Sequence, residues 1–495
     1  MDGVRQVGRR GSAVEGSSMP DTWTMKADER SRVGLEIRAM IEESRSKMSS
    51  MFSDIKVWDE YYEGRLPDKD FPWPGCSNIN VPLTPWHVDT YAARVIDVIT
   101  SVSPITLVEP PPEWTDDDEA KQTAKKVENL LDAQYERMNL VEFLTNEYVP
   151  SALRWPAAIA QVAWREEFRV VRREQDSGIP WTTPTKQTVE ERVPSYRGAR
   201  AEWVDLRNFV IYPLTAKSIE RAHLVGHRFR LTPAQVRQKV KEEGWDKSVL
   251  EMLELAGTES ASADDLHTEE QEDYIGIGRS DTYHRLTFWE VVMPYSASEK
   301  VLPQDCVFII EAGTGVLVYW RKFPYYHGRR HYAGARAFPR PGWFFGRCLP
   351  GILQGCQEEL NRIHNQRIDA VTISIAKPFT YMSSRQGEAP DLYPGAMIEI
   401  DAPGEIAELP INPIVPGIDS EGLTRDYAER LDGIQDVSLG RVTEGDKTAT
   451  EIGAVQAESG VRFGDVVNRL QQAVTEIGRQ VLGLCGQFLS DEELA

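Results

Sequence analysis

The sequence predicts an α+β fold. Apolar residues recur at helical spacing towards both ends of the chain, and between about residues 158 and 321 they switch to the alternation of half-buried strands. Size agrees, since 495 residues with 41% apolar content suffice for two to four packed subdomains.

Residues 1 to 30 mix Gly, Ser, Arg and Asp with little apolar periodicity and are expected to form a flexible arm. A helix is expected from about Ser31 to Tyr62, with Val33, Ile37, Met40, Ile41, Met48, Ile55 and Trp58 on its apolar side. The segment from Phe71 to Pro82 holds too much Pro and Gly for regular structure and reads as an ordered loop. A second helix spans Pro85 to Val102, and a third begins near Thr115. There Asp116, Asp117, Asp118 and Glu119 complement the helix dipole; consecutive helical residues point around the axis and do not converge on a metal.

Strands are expected at Ile159 to Trp164, Phe168 to Arg173, Gln187 to Val193, Trp203 to Tyr212 and Ala222 to Phe229. Thr232 and Pro233 start a short helix that ends at Gly244. The acidic, Ser-rich interval from Gly257 to Arg279 reads as an exposed loop. Strands return at Leu286 to Met293, Val307 to Glu311 and Val316 to Arg321, the last two joined by an Ala-Gly-Thr-Gly turn.

After the turn Pro339-Arg-Pro-Gly342 a helix of about thirty residues is expected from Phe345 to Ile375, roughly 45 Å long. Leu349, Ile352, Leu353, Cys356, Leu360 and Ile363 form its apolar stripe. Beside it runs a polar row of Gln354, Gln357, Glu358, Asn361, Asn365 and Asp369. Pro378 ends the helix, and short strands broken by Pro and Gly follow to Pro416. A helix from Gly417 to Val437, a charged Gly-containing loop and a long helix from Thr448 to Leu489 complete the chain.

The formal net charge of −21 argues against a protein that grips nucleic acid by neutralising phosphates, although an acidic wall suits a conduit past which a polyanion slides. Every long apolar run is interrupted before the ~20 residues of a membrane span. The N-terminus lacks the pattern of a secretory signal, so a cytoplasmic protein is expected. Cys76, Cys306, Cys348, Cys356 and Cys485 form no CxxC pair and read as small buried hydrophobes. No Walker sequence occurs, and Gly313-Thr-Gly315 leads into a strand pattern. His327 and His331, four apart in Tyr325-Tyr-His-Gly-Arg-Arg-His-Tyr332, read as a surface loop that serves either a nucleic acid or a subunit contact.

The order helix, β-rich excursion, helix, charged loop, long helix resembles the portal proteins of tailed double-stranded DNA bacteriophages. The likeness rests on Gly346 before a helix bearing Gln357, Asn361 and Asp369, and on Thr448-Ala-Thr-Glu451 before the last helix. Pro74-Gly-Cys-Ser-Asn78 and the strand ending Tyr212-Pro213 add to it, so the resemblance runs from about Ser31 onward.

What the resemblance implies is a non-enzymatic ring, usually of twelve subunits, at one capsid vertex, where DNA is packaged and ejected. Residues 31–344 and 448–489 would build the wing, 345–375 and 417–437 the two stem helices, 376–416 the clip and 438–447 the tunnel loop. Residues 490–495 would be a tail, with the crown short or absent. Gln357, Asn361 and Asp369 would form the polar face of the first stem helix. Glu421, Asp426, Glu429, Asp432 and Asp436 would line the channel, and Arg441, Glu444, Asp446 and Lys447 would lie nearest the DNA. Implied partners are other copies of the chain, the terminase large subunit, head-tail adaptor and tail proteins, the major capsid and scaffolding proteins and the passing duplex. No cofactor and no membrane is implied, and the setting is the virion, reached through the host cytoplasm. The alternatives are a metal-dependent phage nucleic-acid-processing enzyme and a non-portal oligomeric scaffold or adaptor.

Overall fold

A computed structural model describes residues 23–71, 73–101, 104–115, 117–177, 185–250, 286–296, 302–375, 379–382, 397–400, 415–432 and 449–489. It mixes helix and sheet, as the α+β expectation requires. The chain divides into two compact units, Met1–Lys47 with Arg207–Arg330, and Met48–Leu206 with His331–Ala495. Helix α1 (Ala27–Glu63) contributes residues to each.

The first unit is built on an antiparallel sheet of β3 (Phe209–Tyr212), β4 (Leu224–Leu231), β5 (Leu286–Tyr295), β6 (Gln304–Glu311) and β7 (Leu317–Lys322), paired in sequence order. Both faces are covered, which is why β5 and β6 read as nearly unbroken apolar runs. Val33, Ile37 and Ile41 of α1 pack with Trp289, Val291, Cys306 and Phe308 on one face. On the other, Val236 of α6 (Pro233–Glu242) joins Trp245, Val249, Leu286, Phe288 and Ile309. Thr232 caps α6 through a capping box with Gln235. Arg330 is 3% exposed; its guanidinium grips both oxygens of Asp305 at 2.9 and 3.0 Å and donates to the carbonyls of Ile219 and Ala222.

The second unit carries a long hairpin, β1 (Ala158–Ser177) and β2 (Thr185–Val204), with β8 (Tyr332–Ala335) on the free side of β1. Around it lie α2 (Leu83–Thr100), α3 (Asp118–Arg137), the short helices α4 (Leu140–Phe143) and α5 (Val149–Arg154), and three further helices. These are α7 (Leu349–Ile375), α8 (Val415–Asp432) and the 40-residue α9 (Ala449–Phe488). A π-turn, Leu144–Tyr148, joins α4 to α5. Asp117 caps α3 by accepting from the Glu119 N–H at 3.0 Å, as the acidic run suggests. The α9 stripe of Val466, Leu470, Ile477, Val481 and Leu484 is buried, and Gln480 donates to the Tyr332 carbonyl at 3.2 Å. Strands β9 (Phe379–Met382) and β10 (Met397–Ile400) pair in parallel.

Several boundaries differ from the sequence reading. Of the arm expected over residues 1–30, the described part is packed, since Trp23 stacks on Tyr295 and Met25 enters the core, and residues 1–22 lie outside the described residues. The two expected strands at Ile159 to Trp164 and Phe168 to Arg173 are one, bent by a bulge at Glu167/Phe168 whose charged flanks mimic a turn. Trp203 to Tyr212 is instead broken by a 3-10 turn, Leu206–Asn208. Residues 31–344, expected as one wing segment, fall in both compact units. Helix α7 starts at Leu349 because Phe344 and Phe345 first turn into the core, and α8 starts at Val415, with Pro416 in a first turn that needs no N–H. The Tyr325–Tyr332 stretch is no surface loop throughout: Arg330, His331 and Tyr332 are buried. The loop expected at 257–279 lies outside the described residues.

Candidate functional site

Helix α7 carries Gln357, Asn361, Asn365 and Asp369 at intervals of four, so they line one face. Four helical residues rise about 6 Å, close to the ~6.6 Å spanned by two extended residues. This match lets each α7 side chain meet alternate peptide groups of an extended segment, and the segment Ser77–Thr84 occupies that place. Gln357 accepts from the Thr84 N–H and hydroxyl, both at 3.0 Å, and donates to the Val81 carbonyl at 2.7 Å. Asn361 accepts from the Val81 N–H at 2.8 Å and donates to Asn80 Oδ1 at 2.8 Å. Asn365 accepts from the Ile79 N–H and donates to the Ile79 carbonyl, at 2.8 and 3.0 Å, and takes the Ser77 hydroxyl at 2.8 Å. Asp369 accepts from the Ser77 N–H at 2.6 Å with Lys69 at 3.8 Å.

The four residues are at most 7% exposed. The face expected to be the polar side of a stem helix is therefore committed to its own chain. It satisfies a Pro-rich segment that has no sheet partner. A second flank of α7 meets α1, where Trp58 donates to Gln354 at 3.0 Å and Tyr61 to Glu358 at 3.2 Å. Burial and the Glu358 charge push the Tyr61 hydroxyl up to about 12.

Helix α8 packs back along α7. Ala428 groups with Leu353 and Leu360, while Glu421, seven residues earlier, pairs with Arg367, seven residues beyond Leu360, so the helices are antiparallel. Glu421 is 9% exposed and accepts from Arg367 at 2.7 Å, with His364 at 3.5 Å. Burial works to raise its pKa, but Arg367 and then His364 outweigh that and hold the carboxyl below its ordinary range. Glu421 is thus neutralised within the chain, against the expectation that it faces a channel. Asp426 is exposed, Glu429 is half-buried and Asp432 closes α8. Asp436 and the loop residues Arg441, Glu444, Asp446 and Lys447 lie outside the described residues, as does most of 376–416.

Leu423, Tyr427 and Leu431 recur every four residues on α8 and are 49%, 48% and 50% exposed. They sit on a flank roughly a quarter turn from the side that Ala428 presents to α7. Sequence reading missed what the Gln/Asn/Asp row holds: the strict spacing of four marks a polar face, but its partner segment lies about 280 residues earlier in the chain. Among the described residues no group of three or more His, Cys, Asp or Glu is arranged to hold a metal ion, and no helix is long and apolar enough to cross a membrane. No protein-family model matches the chain, and no curated protein matches its sequence.

Proposed function

We propose that this chain is a phage portal protein, a ring-forming channel subunit at the capsid vertex through which DNA is packaged and ejected. The observation that carries the reading is the antiparallel pair α7 and α8, interrupted by the parallel strands β9 and β10 and followed by the 40-residue α9. That is the order of stem, clip, stem and long wing helix in the family the sequence resembles. The half-exposed Leu423, Tyr427 and Leu431 supply support, because a helix that keeps an apolar flank in water usually has another partner to meet. In this reading that partner is a neighbouring copy. Terminase, adaptor and tail proteins would dock at 376–416, and residues 438–447 would approach the duplex.

Negative-stain microscopy of the purified protein tests the proposal. Rings with a central hole are expected. Uniform small particles with magnesium-dependent nuclease activity would overturn it.

A further inference from the structure

From Ala312 to Gln357 the chain contains no Asp or Glu, yet it carries seven Lys or Arg and ten aromatic residues. In a protein where acids outnumber bases 77 to 56, this is a local reversal of charge. Within that run Arg330 is spent on Asp305, so Tyr325–Tyr332 does not present the charge its composition suggests. The turn beyond it does.

Residues 338–347 form a closed loop. Phe338 and Arg347 bridge at its base, where the Arg347 N–H donates to the Phe338 carbonyl at 2.7 Å. Phe344 and Phe345, 3% and 5% exposed, plug it into the core, and the Gly346 N–H donates to the Pro156 carbonyl at 3.0 Å. Arg336 braces it from within by donating to the Phe344 carbonyl at 3.1 Å. Pro339, Pro341 and Gly342, the last at φ +81°, fix the tip, so it is held without secondary structure.

The loop presents Arg340, Trp343 and Arg347, all exposed. The Arg340 guanidinium lies 5.6 Å from the centre of the Trp343 ring, and among the described residues no carboxylate pairs with Arg340 or Arg347. A guanidinium held over a ring keeps its fork of donors oriented at little further entropic cost, and that fork matches phosphate oxygens. We propose that the loop Phe338–Arg347 is a nucleic-acid contact, in which Arg340 and Arg347 hold backbone phosphates and Trp343 offers its ring to an unpaired base. Phosphates are favoured over an acidic protein surface by the pairing of unneutralised guanidinium groups with an open aromatic face, which is how single strands are held without sequence preference. The inference needs no ring and is separate from the tunnel-loop assignment.

Fluorescence anisotropy of a labelled 30-nucleotide strand and of its duplex, titrated with the full chain from about 50 to 200 mM salt, tests it. Wild type is expected to bind both probes, more weakly as salt rises. The double variant Arg340→Ala/Arg347→Ala should bind at least about tenfold more weakly at low salt, with the logarithmic salt slope reduced by about two. Trp343→Ala should weaken the single strand more than the duplex, and Arg237→Ala, an exposed arginine on α6, should change neither. No binding by wild type, or equal binding by wild type and a double variant of unchanged circular dichroism, would overturn the proposal. Microscopy of the same samples scores ring formation independently.

Discussion

Gln357 and Val81 are clamped from both sides: the Gln357 amide donates to the Val81 carbonyl at 2.7 Å, while Asn361, one turn along α7, takes the Val81 N–H at 2.8 Å. A helix thereby does for an extended segment what a neighbouring strand would do, using side chains in place of peptides.

Replacing Gln357 with Leu should therefore be costly although the volumes are similar. The substitution strands the Thr84 N–H and hydroxyl, on a residue 1% exposed, while the Val81 carbonyl keeps only the Leu83 N–H, at 2.7 Å. At ~1–3 kcal/mol per unsatisfied buried group, with partial relaxation, a loss of about 3 kcal/mol is expected in urea unfolding. Limited proteolysis should open 77–84 first. A loss below about 1 kcal/mol would show that the ladder contributes little.

Two neighbouring members of the row, Asn365 and Asp369, should respond unequally to swaps between amide and acid. Asn365 both donates to and accepts from Ile79, so Asn365→Asp sets a carboxylate against the Ile79 carbonyl. About 2 kcal/mol of destabilisation is expected. Asp369 only accepts from the Ser77 N–H, and an Asn oxygen can do the same. Asp369→Asn should cost under about 1 kcal/mol, so thermal melts of the two variants should separate by several degrees.

The fold was legible where periodicity was local. Thr232 followed by Pro233 announced the cap of α6, and the apolar runs of β5 to β7, separated by turn residues, marked where those strands lie. The α7 row was visible as a polar stripe, but its partner lies about 280 residues earlier in the chain, and nothing in the spacing of Gln357, Asn361 and Asn365 names Ser77–Thr84. Glu421 was misread for the same reason. It was expected to line a channel, and only the antiparallel return against Arg367 buries it. Arg330 failed likewise, since a basic run looks like surface until Asp305 is placed beside it.

Glu421 predicts an acid-sensitive link between α7 and α8. Its carboxyl titrates below the ordinary value in the folded state, so its contribution is complete above the unfolded pKa, about 4.3, and is lost as pH falls through the folded value. The stability difference between wild type and Glu421→Gln should be constant from about pH 7 to 5 and shrink below that. Urea unfolding at each pH checks this, and a difference that grows on acidification would reverse the assignment.

Thiol chemistry tests burial across both units. Burial pushes Cys306 and Cys348 up to about 12 and Cys485 to about 11, and Cys76 is buried as well. Only Cys356 is part-exposed, with its thiol also raised by burial and by Glu359. Since the thiolate is the reacting form, Ellman's reagent at pH 8 should find at most one slowly reacting thiol in the native chain and five in denaturant. Cys356→Ser should abolish the native signal.

Gly34 gives a prediction whose sign is opposite to the usual rule. In the interior of an exposed helix, Gly→Ala stabilises by about 1 kcal/mol. In α1, however, a Cβ on Gly34 would press into the Gly315 carbonyl oxygen, well inside van der Waals contact, and that oxygen belongs to a turn with little room to yield. Gly315 itself sits at φ +72°, and the Gly315 N–H closes the β6–β7 turn onto the Glu311 carbonyl at 2.9 Å. The Glu311 side chain also accepts from the Gly313 N–H at 2.8 Å. Backbone must therefore move, and overpacking of this kind costs ~1–3 kcal/mol, enough to exceed the helix-propensity gain. Gly34→Ala should lower the melting temperature, whereas Gly464→Ala in α9, which has open space around its Cβ position, should raise or preserve it. If both variants melt above wild type, α1 does not pack on the β6–β7 turn as closely as Gly34 allows.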